Sequence, residues 1–247
     1  MNWNYFSSLL LQLNGMPRCH NRRSDIDGSA IVLTEFRTIY IPIPKVACTS
    51  LKKAFGMAIG LDLSPVESGA KSIHQIDFPC IHVSEVEKFK NYKKIAFVRN
   101  PWDRLVSCYR DKVRENKQYT GRQEKLFIDG VHRGLVKYGT FRAGMSFDEF
   151  AQAVSQIPDE DANPHFRSQF SFLTNKNDSI FTDFTGKFES LNEDFNRIFE
   201  QLNIPDITLP HANKSRRAKY IEYYNDDLKE LVKKRYSRDI EAFNYTF

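Results

Sequence analysis

The stretch Ile39-Tyr-Ile-Pro-Ile-Pro-Lys-Val-Ala-Cys-Thr-Ser-Leu-Lys-Lys53 decides how the rest of the chain is read. Ile39, Ile41 and Ile43 alternate with Tyr40, Pro42 and Pro44, the two-residue period of a strand. Proline cannot donate to a ladder, so the strand should close near Ile43. From Thr49 the period changes. Leu51, Ala54, Phe55, Ala58 and Ile59 fall at helical spacing, and Gly60 is a natural stop. The spacing predicts strand, tight turn and helix, with Lys45, Thr49, Ser50, Lys52 and Lys53 around the turn. Such a turn points backbone N–H groups outward at the positive end of a helix, which favours an anionic oxygen group. The hydroxyls of Thr49 and Ser50 add donors, and Lys45 adds a mobile charge. The turn holds no glycine and no G-x-x-x-x-G-K-[ST], so it is not a Walker A loop. A capped core helix with solvated lysines accounts for the same pattern.

A second segment repeats the design. Lys93 to Arg99 reads as a short buried strand ended by Asn100-Pro101, after which Trp102, Leu105, Val106, Tyr109 and Val113 recur at helical spacing. Arg99 stands at the strand's carboxyl end and Ser107 within the helix. Open α/β sheets bind ligands outside the carboxyl ends of their strands. Two such ends, each with cations, suit a ligand carrying two separated anionic groups. The expected fold is α/β, three-layered, with central parallel strands at 38–43 and 94–99.

Both segments carry a family resemblance. Pro44-Lys45-Val46-Ala47-Cys48-Thr49-Ser50-Leu51-Lys52 resembles the 5′-phosphosulfate loop of the Golgi-type carbohydrate sulfotransferases, the chondroitin 4-O- and HNK-1-sulfotransferase group. Phe97-Val-Arg-Asn-Pro-Trp-Asp-Arg-Leu-Val-Ser-Cys-Tyr-Arg-Asp-Lys112 resembles their 3′-phosphate motif. Asn163-Pro-His-Phe166, Gly186-Lys-Phe-Glu189 and Phe243-Asn-Tyr245 continue the likeness more weakly, so that it covers residues 30–247. The resemblance implies a P-loop-like sulfotransferase fold and the donor PAPS (3′-phosphoadenosine-5′-phosphosulfate), released as PAP. It implies a glycan or glycoconjugate as acceptor.

Sulfuryl transfer needs a base for the acceptor hydroxyl and cations for charge growing on the bridging oxygen. By the resemblance, Lys45 serves that oxygen. The amides of Ala47, Cys48, Thr49 and Ser50, with the two hydroxyls, hold the 5′-phosphate, and Val46 and Lys52 complete the donor-binding loop. Arg99, a bidentate fork, and Ser107 take the 3′-phosphate. Lys214 and Ser215, in the basic turn His211–Arg217, cover the nucleotide in that reading, and a solvated loop is the plainer one. For the base, histidine titrates nearest neutrality. His74 ranks first, lying between the two donor motifs where several sulfotransferases keep their base. His165 ranks second, because Asn163-Pro-His-Phe166 resembles a His-Trp motif of the carbohydrate group with Phe166 in place of the tryptophan. His82 shares the first interval but follows Pro79 in what reads as a peripheral turn. His20, His132 and His211 stand in no recognisable pattern. Two other classes stay open: a P-loop-like small-molecule kinase, against which the missing glycines count, and a PAP-binding protein without a base.

At 247 residues the chain suits one domain, 1–247, with 1–28 as a peripheral segment. Its net charge of +5 fits anionic small molecules or acidic glycans and falls short of a nucleic-acid-binding stripe. Leu9–Leu13 is too short for a membrane span and has no basic region before it, so neither a transmembrane segment nor a secretory signal is expected. A cytoplasmic setting follows, with the Golgi lumen the alternative if a signal anchor has been removed. Cys19, Cys48, Cys80 and Cys108 lack C-x-x-C spacing, so neither a metal site nor a disulfide scaffold is expected. Cys48 and Cys108 should be reduced thiols packed as small apolar groups.

Elsewhere, Ala30–Phe36 and Ser72–Phe78 read as strands, Val83–Lys90 as a short helix capped by Ser84, and residues 164–173 as helical. Asp183–Glu189 reads as a strand. Asn116–Gly144 is a long functional loop. Ser146 and Ser190 open helices through capping boxes, and Asn225 caps a last helix to Tyr236. Arg104 and Arg110 are candidates for ion pairs with Asp103 or Asp111.

Overall fold

The computed structural model describes residues 28–115, 124–204, 207–210 and 219–247. They divide into two compact units, one drawn from Met1–Phe97 and Phe172–Lys214, the other from Val98–Ser171 and Ser215–Phe247. The strands are β1 Ser29–Leu33, β2 Thr38–Ile41, β3 Cys80–His82, β4 Lys93–Val98, β5 Phe127–Ile128, β6 Val131–His132 and β7 Phe184–Lys187. The longer helices are α1 Cys48–Ala58, α2 Pro101–Lys112, α3 Phe147–Ser155, α4 Leu191–Gln201, α5 Asp226–Arg235 and α6 Ser237–Phe243. The expected α/β class is the class adopted, with helices flanking a central sheet.

The first unit is built on a five-stranded sheet of order β3-β1-β2-β4-β7. β1 pairs antiparallel with both β2 and β3, while β2 pairs parallel with β4, from Thr38↔Lys93 to Ile41↔Ala96. β2, β3 and β4 therefore run one way, and β2 and β4 finish at the same edge. The alternation that marks β2 as a strand does not mark a wet face. All four of its residues are buried, as are Ile95 to Val98, the signature of central strands covered on both sides. Tyr40 packs its ring 4.8 Å from Phe55 of α1, which lies 5.3 Å from Phe199 of α4. Burial, with Cys48 beside it, pushes the Tyr40 phenol well above its ordinary pKa. β7 needs its glycine: a Cβ at Gly186 would fall 2.5 Å from the Phe97 ring.

Several local expectations change. β1 ends at Leu33, because Thr34–Phe36 winds into a 3-10 turn closed by Arg37 at φ 44°. The strand expected at Ser72–Phe78 is a 3-10 turn, Ile73–Gln75, imposed by a capping box between Ser72 and Gln75. Val83–Lys88 is also 3-10 and is capped by His82, not Ser84. Ser190 makes no cap to α4; its hydroxyl donates to Asp194 instead, at 2.8 Å.

The cysteines need the largest correction. Cys48 and Cys108 are free, as expected, but Cys80 is disulfide-bonded. Spacing rules miss it because no short cysteine motif surrounds it. Alkylating the denatured, unreduced protein should label Cys48 and Cys108, and reduction should release further thiols, Cys80 among them, as peptide mass mapping would show. Cys80→Ser should cost about 2–4 kcal/mol of stability, read as a lowered unfolding midpoint.

The second unit has its own core, in which Trp102, Leu105 and Val106 of α2 meet Phe147, Phe150 and Val154 of α3, Phe166, and Leu228 and Val232 of α5. Its helix starts match the sequence closely. Asn100 accepts from the amides of Trp102 and Asp103 with Pro101 at the first position, Ser146 and Glu149 form their capping box, and Asn225 accepts from Leu228. Of the expected helix at 164–173 only Phe170–Leu173 is helical, and α6 follows α5 beyond Tyr236. The long loop holds the antiparallel pair β5 and β6.

Candidate active site

The turn between β2 and α1 belongs to the first unit. Val46 is buried and donates its amide to the Ile43 carbonyl, and the Cys48 thiol also reaches that carbonyl, at 2.6 Å. Lys45 and Ala47 both take left-handed backbone, at φ 70° and 50°. That conformation costs a side-chain-bearing residue roughly 1–2 kcal/mol, so the surroundings must enforce it. A left-handed residue followed by helical ones turns successive N–H groups to one side, forming an anion-binding concavity. Ala47 gives α1 no side-chain cap, and the first turn, Cys48-Thr49-Ser50, contains no acid. The helix thus starts with its positive end uncompensated by its own side chains. Lys45 and Thr49 are half-buried at the turn, while Ser50 is buried. Lys52 lies with its Nζ 6.0 Å from the Phe78 ring centre.

Arg99 and Ser107 belong to the second unit. Arg99 is 3% exposed, and its guanidinium donates from Nε and Nη2 to Asp103 Oδ2 at 2.8 and 2.7 Å. Its backbone is held as firmly. The Arg99 amide donates to Gln169 Oε1 at 2.8 Å, and Gln169 Nε2 donates back to the Arg99 carbonyl at 2.8 Å. Gln169 is fully buried, and its own amide donates to Asp239 Oδ2 at 2.9 Å. Asp239 also accepts from the Phe170 amide at 2.8 Å and from the Ser168 hydroxyl. Burial pushes the Asp239 carboxyl above its ordinary pKa, and these donors pull it back. Asp103 is the carboxylate partner of Arg99. Arg104, also buried, donates to the carbonyls of Arg167 and Pro164 at 2.7 and 3.0 Å and so clamps the turn that carries His165. Asp111 pairs with Lys112.

The histidines separate clearly. His74 lies exposed on the Ile73–Gln75 turn of the first unit. His82 is exposed at the end of β3, its Nδ1 accepting from the Ser84 amide. His165, in the second unit, is half-buried with Nδ1 2.7 Å from Asn163 Oδ1. His132 stands beside it, ring centres 6.2 Å apart. Sequence reading passed over His132, and no spacing signal links residues that only the fold brings together. Lys214 and Ser215 lie outside the described residues.

An N–H-lined turn with a lysine, and a buried arginine at a strand end, have the donor chemistry for two phosphate-type groups. Among the described residues no cluster of His, Cys, Asp or Glu is placed to hold a metal ion. No helix among them is long and apolar enough to cross a membrane.

The model of the Sulfotransferase family matches residues 29–246. The chain is similar to carbohydrate sulfotransferase 14 of Mus musculus, 29% identical over 163 residues, or 62% of this chain and 42% of that protein. It is similar to carbohydrate sulfotransferase 11 of Danio rerio, 36% identical over 93 residues, covering 33% of this chain and 25% of the relative. It is also similar to carbohydrate sulfotransferase 8 of Mus musculus, 27% identical over 132 residues, covering 49% and 31%. The matched stretches span less than half the length of these relatives. No solved structure matches.

Proposed function

Because this chain belongs to the sulfotransferase family, we propose that it moves a sulfuryl group from PAPS to a hydroxyl of a carbohydrate acceptor. The observation that carries the reading is the left-handed turn at Lys45 and Ala47, placed before an uncapped helix at the end of a strand parallel to the one that leads into Arg99. In this reading Lys45 neutralises charge on the bridging oxygen, while Val46, Ala47, Cys48, Thr49, Ser50 and Lys52 surround the 5′-phosphate. Arg99 and Ser107 hold the 3′-phosphate, and Lys214 and Ser215 cover the nucleotide. The base role falls on His165, whose ring is oriented by Asn163, with His74 the candidate tested alongside it. The reading takes 1–247 as one functional domain.

The disulfide at Cys80 favours an oxidising compartment over the cytoplasm. We therefore assign the protein to a lumenal setting such as the Golgi, which the resemblance to Golgi-type enzymes supports.

Incubation with labelled PAPS and a panel of glycans and small alcohols tests the activity, and no transfer to any glycan would overturn it. Arg99→Ala tests the donor site. Loss of charge-assisted bonds worth about 1.5–3 kcal/mol should weaken PAP binding roughly 10- to 100-fold by titration calorimetry. Unchanged affinity would remove Arg99 from the site.

A further inference from the structure

Arg99 follows directly on β4, and a side chain takes up its backbone groups. Its amide donates to Gln169 Oε1 and Gln169 Nε2 donates to its carbonyl, both at 2.8 Å. That exchange of two bonds is what a paired residue on an antiparallel strand supplies. It also fixes the orientation of the side-chain amide, because a backbone N–H only donates and a carbonyl only accepts. Nε2 donates a second time, to Asp239 Oδ2 at 3.3 Å. Asp239, from α6, takes three more donors from the same short segment. They are the Ser168 hydroxyl and the amides of Gln169 and Phe170, the latter two at 2.9 and 2.8 Å. Gln169 and Asp239 are both fully buried. The Arg99 guanidinium rests on a separate carboxylate, that of Asp103. All of these residues belong to the second unit.

Burying a primary amide and a carboxylate is costly, and apolar side chains of similar size fill the same space without that cost. What the polar pair adds is a backbone fixed at one residue. An arginine grips a phosphate through a rigid planar fork, so a small shift of the backbone that carries it misaligns both prongs. We propose that Gln169, held by Asp239, is a positioning residue for the 3′-phosphate contact of Arg99. Both side chains are enclosed, so they act through Arg99 and not on the nucleotide. Asp103 sets the direction of the guanidinium, and Gln169 sets the backbone from which it extends. Binding a phosphate then orders little that is not already ordered, which is how preorganisation raises affinity. The inference rests on the donor-site reading above and concerns the second unit alone.

The test compares two nucleotides on the full chain by titration calorimetry: PAP, and AMP, which lacks the 3′-phosphate. Gln169→Met keeps the length of the side chain and removes both of its bonds to Arg99. It should weaken PAP roughly three- to tenfold, the scale of an ordinary hydrogen bond, and leave AMP within about twofold. In an Arg99→Ala background the same change should cost PAP nothing further, since the side chain being positioned is gone. Asp239→Asn, which keeps the shape and an acceptor oxygen, should move PAP in the same direction by less, and it carries the test if Gln169→Met does not fold. Equal weakening of PAP and AMP would make the pair structural and overturn the inference. So would unchanged PAP affinity, or an equal loss with and without the Arg99 guanidinium. If the wild-type protein binds PAP no more tightly than AMP, the 3′-phosphate reading fails before either variant is made, and the inference falls with it.

Discussion

Replacing His165 by alanine lowers turnover by about 10²–10⁴ while PAP binds as before, the expected loss of one general base. The effect should be large because the ring is prepared for this role before substrate arrives. Asn163 Oδ1 lies 2.7 Å from its Nδ1, and Arg104 fixes the turn beneath it from inside the core. His165→Asn is the sharper variant: it removes the basic nitrogen with little change in bulk. Single-turnover rates with labelled PAPS, beside PAP titrations, separate chemistry from binding. Near-normal turnover in His165→Ala would pass the role to His74, whose alanine variant belongs in the same series. Near-normal turnover in both would direct attention to His82 or a carboxylate.

Lys45→Ala should reduce turnover by roughly 10²–10³, the scale seen when one preorganised charge-stabilising group is lost. Its backbone supplies an unusual control. Lys45 occupies φ 70°, where a side chain is a burden and glycine is at ease. Lys45→Gly therefore removes the charge while relieving the turn, and should fold at least as well as the parent while turning over as slowly as Lys45→Ala. A Lys45→Gly variant with near wild-type turnover would show that the turn, not the ammonium, carries the effect.

The two strand–turn–helix segments were legible because their signals are local. Ile39 to Ile43 alternates, prolines end the strand, and Asn100-Pro101 opens a helix in the way single residues dictate. One expected capping box lost to a competing partner, Ser190 turning to Asp194, while an unread one, Ser72 with Gln75, wound an expected strand into a 3-10 turn. What could not be read was long-range. Nothing near Arg99 in sequence announces Gln169 or Asp239, nor does Val131-His132 announce Asn163. The left-handed turn at Lys45 and Ala47 was equally silent, since neither residue favours that conformation and the fold imposes it.

The bonds that seat Arg99 also set an order in time. Translation proceeds from the amino end, so β1, β2, α1 and β4 emerge long before Asp239, and with them every strand of the sheet except β7. Arg99 itself is made early, yet the side chains that grip its backbone come from Gln169 and, behind that, from α6 near the end of the chain. Until α6 leaves the ribosome, the Arg99 backbone lacks its finished support, and the unit that holds it is waiting on contacts of long sequence separation, the slowest kind to form. The nascent chain thus has its Lys45 turn and most of its sheet in hand well before its arginine is set.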